Sequence, residues 1–286
     1  MLTKKVFFVV AILGSFLQAA AQDDVSRFEK KLVETAQHVT PAVVPLFYSK
    51  INDQSSEFGV VGSGFFVNAD GYFITAAHVL ERYKPNSGEL TVTFRQRDGN
   101  GSGLWFDVVE KDEQHDLALC KLKVTPKEFL YVTHKTLAER AGLFASLAVS
   151  TQAPETGRFV VIAGFPLQSW SPSIQLGTVA AIETINPSAG RVPAGQRELL
   201  QISVAGNKGN SGSPVVELRS GKVIGVIVQA VSAPLFAAND AQLPVAQSSG
   251  VMLAVPATWI QALLKRHNIT SAATLPTTTL SRKQSH

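Results

Sequence analysis

The 286-residue chain carries 26 Lys and Arg against 22 Asp and Glu, a formal charge of +4, with 17% charged and 45% hydrophobic residues. No basic patch or stripe stands out, which speaks against a nucleic-acid partner. Cys120 is the only cysteine, so no intramolecular disulfide can form, and stability must come from apolar cores large enough for one two-lobed domain or two small ones.

At the N-terminus Lys4 and Lys5 precede an apolar run from Val6 to Leu17, and Ala19-Ala20-Ala21 offers a small-residue cleavage site before Gln22. This is the layout of a signal peptide over 1–21. The run is shorter than the roughly 20 apolar residues of a spanning helix, so no stable membrane insertion is expected after cleavage. Its loss lowers the formal charge to +2, since the segment holds two lysines and no acid. The short, lysine-led leader suits a bacterium and a periplasmic or secreted product.

Val25, Phe28, Leu32, Val33 and Ala36 recur at helical spacing, and Pro41 ends that helix, whose apolar stripe is expected to pack on the barrel that follows. From about 40 to 125 come six short apolar or alternating runs: Ala42–Tyr48, Gly59–Val67, Tyr72–Thr75, Leu90–Arg95, Trp105–Val109 and Leu117–Leu122. Turn residues such as Asn68-Ala69-Asp70-Gly71 separate them. After an irregular stretch a second six follow between about 156 and 256: Arg158–Ala163, Ile174–Ile182, Glu198–Ile202, Gly212–Leu218, Lys222–Val231 and Val251–Val255. Asn239–Ser249 reads as an exposed loop. Trp259, Ile260, Leu263 and Leu264 predict a short amphipathic helix over 257–267, and the polar tail 271–286 reads as disordered. The spacing predicts an all-β fold of two six-stranded antiparallel barrels with an N-terminal helix and a short C-terminal helix, the folded domain spanning 22–270.

Three motifs carry chemistry: Thr75-Ala76-Ala77-His78, His115-Asp116-Leu117-Ala118-Leu119 and Gly209-Asn210-Ser211-Gly212-Ser213-Pro214. A serine hydroxyl is a poor nucleophile at neutral pH. It needs an imidazole to take its proton and a buried carboxylate to hold that imidazole in one tautomer. His78, Asp116 and Ser211 supply these groups, in the order of the chymotrypsin-type β-barrel proteases rather than of α/β-hydrolases or subtilisins. The hydrolase elbow would also want glycine where Ser213 stands. The oxyanion hole is expected over Gly209-Asn210-Ser211, with the N–H groups of Gly209 and Ser211 as donors. Strand alternation would turn His115 away from the cleft if Asp116 faces it, and Asp112 is expected to fix the turn before the strand. Cys120 follows an apolar run and reads as a buried small hydrophobe. No metal motif is present, and no cofactor is implied.

With these motifs the chain resembles the HtrA/Deg branch of the trypsin-like serine proteases from about residue 28 to 266. Val39-Thr40-Pro41-Ala42-Val43-Val44, Gly62-Ser63-Gly64-Phe65-Phe66-Val67, Gly71 to Val79, Asp112 to Leu119, Gly164-Phe165-Pro166, Gly177-Thr178-Val179, Gly221 to Val226 and Gly250 to Pro256 carry the resemblance. It implies the chymotrypsin-like fold, polypeptide substrates and serine endopeptidase activity, and it leaves homo-oligomer assembly open. Three departures stand out: only about 20 residues follow the last helix where the family usually carries PDZ domains, Ser213 replaces a glycine, and the segments Lys84–Trp105 and Ser232–Ser249 are long.

The resemblance places the primary substrate pocket at Ala205, Gly206, Asn207 and Lys208 and at Ile227, Val228, Gln229 and Ala230. Ala205 stands where a trypsin-like pocket holds an acid, and Ile227 where glutamyl endopeptidases, which share Gly-Asn-Ser-Gly-Ser-Pro, hold a histidine. Cleavage after small or medium aliphatic residues is the resulting expectation, with glutamyl-endopeptidase-like specificity as one alternative and a catalytically silent peptide-binding or chaperone-like protein as another.

Overall fold

The computed structural model describes residues 23–52, 55–82, 88–95, 101–123, 144–185, 197–236 and 242–273. The signal peptide expected over 1–21 and the part beyond 273 of the tail expected to be disordered lie outside them. Among the described residues, thirteen strands form two sheets. The first is seven-stranded, in the order β5-β4-β1-β2-β3-β7-β6, and the second is a closed six-stranded barrel, β10-β13-β12-β11-β8-β9. The fold is therefore mostly β, with a closed barrel, a half-barrel and two helices.

In the first sheet β1 (Val43–Asn52) pairs antiparallel with β2 (Ser55–Phe66) and β4 (Glu89–Arg95). β2 pairs with β3 (Tyr72–Ala76), β3 with β7 (Leu117–Leu122), and β7 with β6 (Phe106–Asp112). The seventh strand, β5 (Gly101–Leu104), was not expected. Its Gly-Ser-Gly sequence reads as a turn, and it enters the sheet by backbone pairing with β4 rather than by an apolar pattern. With β5 and β6 as unpaired edges, this ladder stays open.

The second sheet consists of β8 (Phe159–Gly164), β9 (Ser173–Ile185), β10 (Arg197–Ser203), β11 (Pro214–Glu217), β12 (Val223–Phe236) and β13 (Gln242–Pro256). Residues 242–249, expected to be loop, belong to β13. Backbone pairs such as Ser232↔Ser248 and Phe236↔Gln242 extend the β12–β13 hairpin beyond the apolar run that marks these strands in the sequence. Main-chain pairing needs no hydrophobic alternation.

The core is continuous between the sheets. Phe65, Phe66, Phe73 and Leu119 of the first pack in one cluster with Val216, Val226 and Val255 of the second. A smaller cluster, including Ile162, Leu200, Ile227 and Met252, fills the closed barrel. Cys120 is fully buried, and burial pushes its thiol far above the ordinary range, leaving it an inert hydrophobe.

The N-terminal helix α1 covers 23–39. Its stripe is only partly covered: Val25 is 67% and Val33 48% exposed, Leu32 and Ala36 are half-buried, and Phe28 meets not the first sheet but Phe159 of the second, edge-on at 5.2 Å. Only Thr35 and Val39 are buried, so the helix is seated by its last turns. The C-terminal helix α2 (Ala257–Arg266) does bury its predicted face through Ile260, Leu263 and Leu264. Lys265 and Arg266 in its last turn complement the helix dipole.

Candidate active site

The three sequence motifs meet between the sheets. β3 ends at Ala76, which pairs with Leu117 at the start of β7, so the residues just beyond the two strand ends are neighbours. His78 stands there on a 3₁₀ turn, Ala77–Arg82, and Asp116 on the turn that leads into β7. The Asp116 carboxylate takes the His78 backbone N–H on Oδ1 at 2.8 Å and faces Nδ1 with Oδ2 at 2.8 Å. A carboxylate only accepts, so Nδ1 carries the ring proton, and Nε2 is left as the acceptor facing Ser211 Oγ at 2.9 Å. Asp116 is 5% exposed, shielding this pair from competing water.

Asp116 has φ +56°, a left-handed conformation that Asp visits more readily than most residues at a cost of roughly 1–2 kcal/mol. Its carbonyl accepts the Ala77 N–H at 3.0 Å, and its own N–H reaches Glu113 at 3.4 Å. His115 is not in a strand, so alternation is not what orients it. It lies buried in the turn, its Nδ1 3.0 Å from each oxygen of Asp112 and its ring stacked on Trp259 at 3.6 Å. Asp112 also takes the His115 backbone N–H at 3.1 Å, the turn-fixing role expected of it.

Two carboxyls here titrate abnormally. Burial pushes Asp112 up, but hydrogen bonds from the His115 ring and backbone, the His115 charge and Arg266 outweigh it and hold the carboxyl below its usual range. The Arg266 hydrogen bond, aided by His267, does the same for Glu110.

Ser211 arrives from the second sheet on the loop before β11. Its carbonyl accepts the Ser63 N–H at 2.8 Å. The hydroxyl of Ser63 receives the Phe165 N–H at 3.0 Å and donates to the Gly209 carbonyl at 2.7 Å. The Lys208 carbonyl takes the Leu167 N–H at 2.8 Å. In a trans peptide C=O and N–H point in opposite directions, so this bond turns the Gly209 N–H away from Leu167. Gly209 sits at φ +99°, and a Cβ there would lie 2.1 Å from the Phe165 carbonyl oxygen, so only glycine fits. Among the described residues, neither the Gly209 nor the Ser211 N–H is taken by a protein acceptor. Asn210 differs. Its N–H donates to the Asn207 carbonyl at 3.2 Å, and its side chain is buried against Gln175 and Met252, so it offers the hole no donor.

Ser213 is fully buried with its hydroxyl unpartnered. It fits because residue 164 is glycine: a Cβ on Gly164 would lie 2.0 Å from Ser213 Oγ. The departure from the resembled motif is therefore absorbed by packing away from the nucleophile.

A cavity of about 430 Å³ opens onto His78, Gly209 and Ser211, bordered also by Tyr48, Phe58, Val60, Gln168 and Lys208. Of the residues expected to bind substrate, Lys208 alone borders it. Ile227 and Val228 are buried in β12, and Gln229 and Ala230 are more open. Gly206 packs so closely on Ala230 and Met252 that a Cβ would lie 2.7 and 2.6 Å from their side chains, while its N–H meets Ser248 Oγ at 3.1 Å. Gln175 ties the Ala205 carbonyl at 2.9 Å and reaches Asn210 at 3.4 Å. Phe58, Gln168, Gln175, Ser248 and Met252 were not anticipated. Phe58 lies just before the Gly62-Ser63-Gly64 motif and Gln168 just after Gly164-Phe165-Pro166, the one signal that could have pointed to them.

Comparison with known proteins agrees with this architecture. The family described as Trypsin-like peptidase domain matches residues 62–226. Serine protease HTRA1A of Danio rerio is 28% identical over 204 residues, covering 71% of this chain and 37% of the relative. The "Probable periplasmic serine endoprotease DegP-like" of Halomonas elongata is 30% identical over 172 residues, covering 60% of this chain and 30% of the relative. The chain thus spans well under half the length of these relatives. The solved structure of the HtrA-type protease AlgW with a decapeptide superposes with a TM-score of 0.55 at 18% identity, over 83% of this chain and 68% of that one. The chain belongs to the trypsin-like peptidase domain family and is similar within it to HtrA-type proteases.

Proposed function

We propose that the chain is a serine endopeptidase that hydrolyses polypeptides through His78, Asp116 and Ser211. The observation that carries this reading is the pair of short contacts on one imidazole, 2.8 Å to Asp116 and 2.9 Å to Ser211. Ser211 Oγ attacks the scissile carbonyl carbon while its proton passes to His78 Nε2. The carbonyl oxygen becomes an oxyanion held by the N–H groups of Gly209 and Ser211. Collapse breaks the C–N bond, His78 returns the proton to the leaving amine, and an acyl ester on Ser211 remains. Water, deprotonated by His78, then releases the acid and restores the serine. Asp116 stays ionised throughout and stabilises the imidazolium.

The proposed preference is for small or medium aliphatic residues on the acyl side of the bond. It is supported by the uncharged group Ala205, Gly206, Ala230 and Met252, the charged Glu57, Glu81 and Lys208 lining instead the cavity that opens onto His78. Extended substrate backbone would add beside Val228–Ala230. Periplasmic or secreted location is supported by the leader over 1–21 and by the name of the DegP-like relative. Digestion of unfolded casein, with the cleavage sites read by mass spectrometry, tests activity and preference together. Cuts after Val, Ala or Leu are expected, and cuts after Arg, Lys or Glu would overturn the pocket assignment.

A further inference from the structure

We infer that His115 is a positioning residue: pinned between Asp112 and the Trp259 ring of α2, it fixes the turn that presents the Asp116 carboxylate to His78. The inference rests on the reading of His78, Asp116 and Ser211 as the catalytic groups.

Asp116 holds a left-handed backbone angle, which persists only where the surroundings over-determine it. Besides the two contacts of its carboxylate with His78, its backbone anchors are few: one carbonyl contact to Ala77, and an N–H that reaches Glu113 at 3.4 Å. On its C-terminal side β7 takes over, with Leu117 paired to both Ala76 and Asp112. On its N-terminal side the anchor is His115. Its ring nitrogen and its backbone N–H both go to Asp112, closing a ring of contacts across the turn. The opposite constraint comes from a distant part of the chain, where Trp259 lies flat on the imidazole at 3.6 Å and 19°. The helix that carries Trp259 is itself seated by Ile260, Leu263 and Leu264, and by the Gln261 side-chain amide on the Val149 carbonyl at 3.0 Å. Arg266, two turns further along, reaches Asp112 at 3.4 Å and Glu110 at 2.6 Å. Helix α2 therefore grips the Asp116 turn at two points, and His115 is where that grip meets the residue next to the carboxylate. Among the described residues no hydrogen bond or ring contact joins His115 to His78 or Ser211, so it acts through Asp116.

The test compares His115→Ala, Trp259→Ala and Trp259→Phe with the unaltered chain and Ser211→Ala, at a temperature where circular dichroism shows all of them folded. The measurements are kcat and KM on a fluorogenic peptide with an aliphatic residue before the scissile bond, and the downfield NMR resonance of the Nδ1 proton that His78 donates to Asp116. A displaced carboxylate lowers kcat about 10- to 100-fold. KM changes by less than about 2-fold, because the interaction lost belongs to the transition state. The resonance shifts or broadens in both alanine variants, and Trp259→Phe, which keeps a ring to stack on, restores both readouts. If His115→Ala does not fold, Trp259→Ala carries the test, since that ring is only partly buried. Wild-type kcat and an unmoved resonance in a folded alanine variant overturn the inference, even if its melting temperature falls. Full activity in Ser211→Ala would instead bring down the catalytic reading, while the resonance still reports whether His115 positions Asp116.

Discussion

The hydroxyl of Ser63, in the strand β2 of the first sheet, donates to the carbonyl of Gly209, on the loop between β10 and β11 of the second, at 2.7 Å. The same oxygen receives the Phe165 N–H, and the Ser63 backbone N–H holds the Ser211 carbonyl. One residue thus grips the nucleophile loop on both sides of Asn210. Ser63→Ala removes a buried hydrogen-bonding bridge and leaves two backbone groups unpaired, a loss of roughly 1–3 kcal/mol. The expected outcome is a fall in kcat of about 10-fold or more with KM nearly constant, checked by steady-state kinetics beside a thermal melt.

Gly209→Ala places a methyl group where the Phe165 carbonyl already lies, at a backbone angle that L residues avoid. The loop must move, and the Gly209 N–H moves with it. A loss of about 10²–10³ in kcat is expected, the usual cost of one oxyanion donor. Binding of a peptide aldehyde inhibitor should weaken in parallel, whereas binding of an uncleaved product peptide should change little.

Gly164 and Ser213 share one space. Gly164→Ala should destabilise the protein by about 1–3 kcal/mol, the range for overpacking a tight core. Ser213→Gly alone should cost little, because it removes an unpartnered hydroxyl at the expense of some backbone freedom. In the double variant much of the Gly164→Ala penalty should disappear. Urea denaturation of the four proteins measures the coupling, and simple additivity would show that the two residues do not compete.

The carboxyls of Glu110 and Asp112 are both held below their ordinary values, so their contribution to stability is present above the unfolded-state pKa of about 4 and is lost as pH falls through the lower folded values. Arg266→Met removes their common partner. It should lower the melting temperature at pH 7 by about 1–4 °C, as befits a half-exposed ion pair. The gap from the unaltered chain should narrow as pH falls below the unfolded-state value of about 4 and through the lower folded values, where the carboxyls become protonated. Melting curves across pH check both the size and the direction.

Twelve of the strands were legible as apolar or alternating runs, because burial on a pleated surface imposes that pattern. β5 and the outer part of β13 were not. Gly101-Ser102-Gly103 and the residues after Gln242 are held by main-chain pairing that leaves no side-chain signature. The residues of the site were legible because three spaced motifs share one chemistry, whereas their anchors were not. Trp259 looks like any apolar residue of an amphipathic helix, and only the fold shows that it lies against His115. Met252 and Gln175 likewise reach Asn210 from strands remote in sequence. The helix α1 failed in the other direction: a regular stripe at Val25, Phe28 and Val33 signals a helix correctly but does not specify what covers it.

The most direct measurement of the central claim is intact-protein mass spectrometry after treatment with a fluorophosphonate probe, beside a Ser211→Ala control and a casein digest. The account predicts one adduct, mapped by peptide sequencing to Ser211 and missing from the control, with casein cleaved only by the unaltered protein. A folded protein that takes up no probe, or takes it up at another residue while still cutting casein, would contradict it.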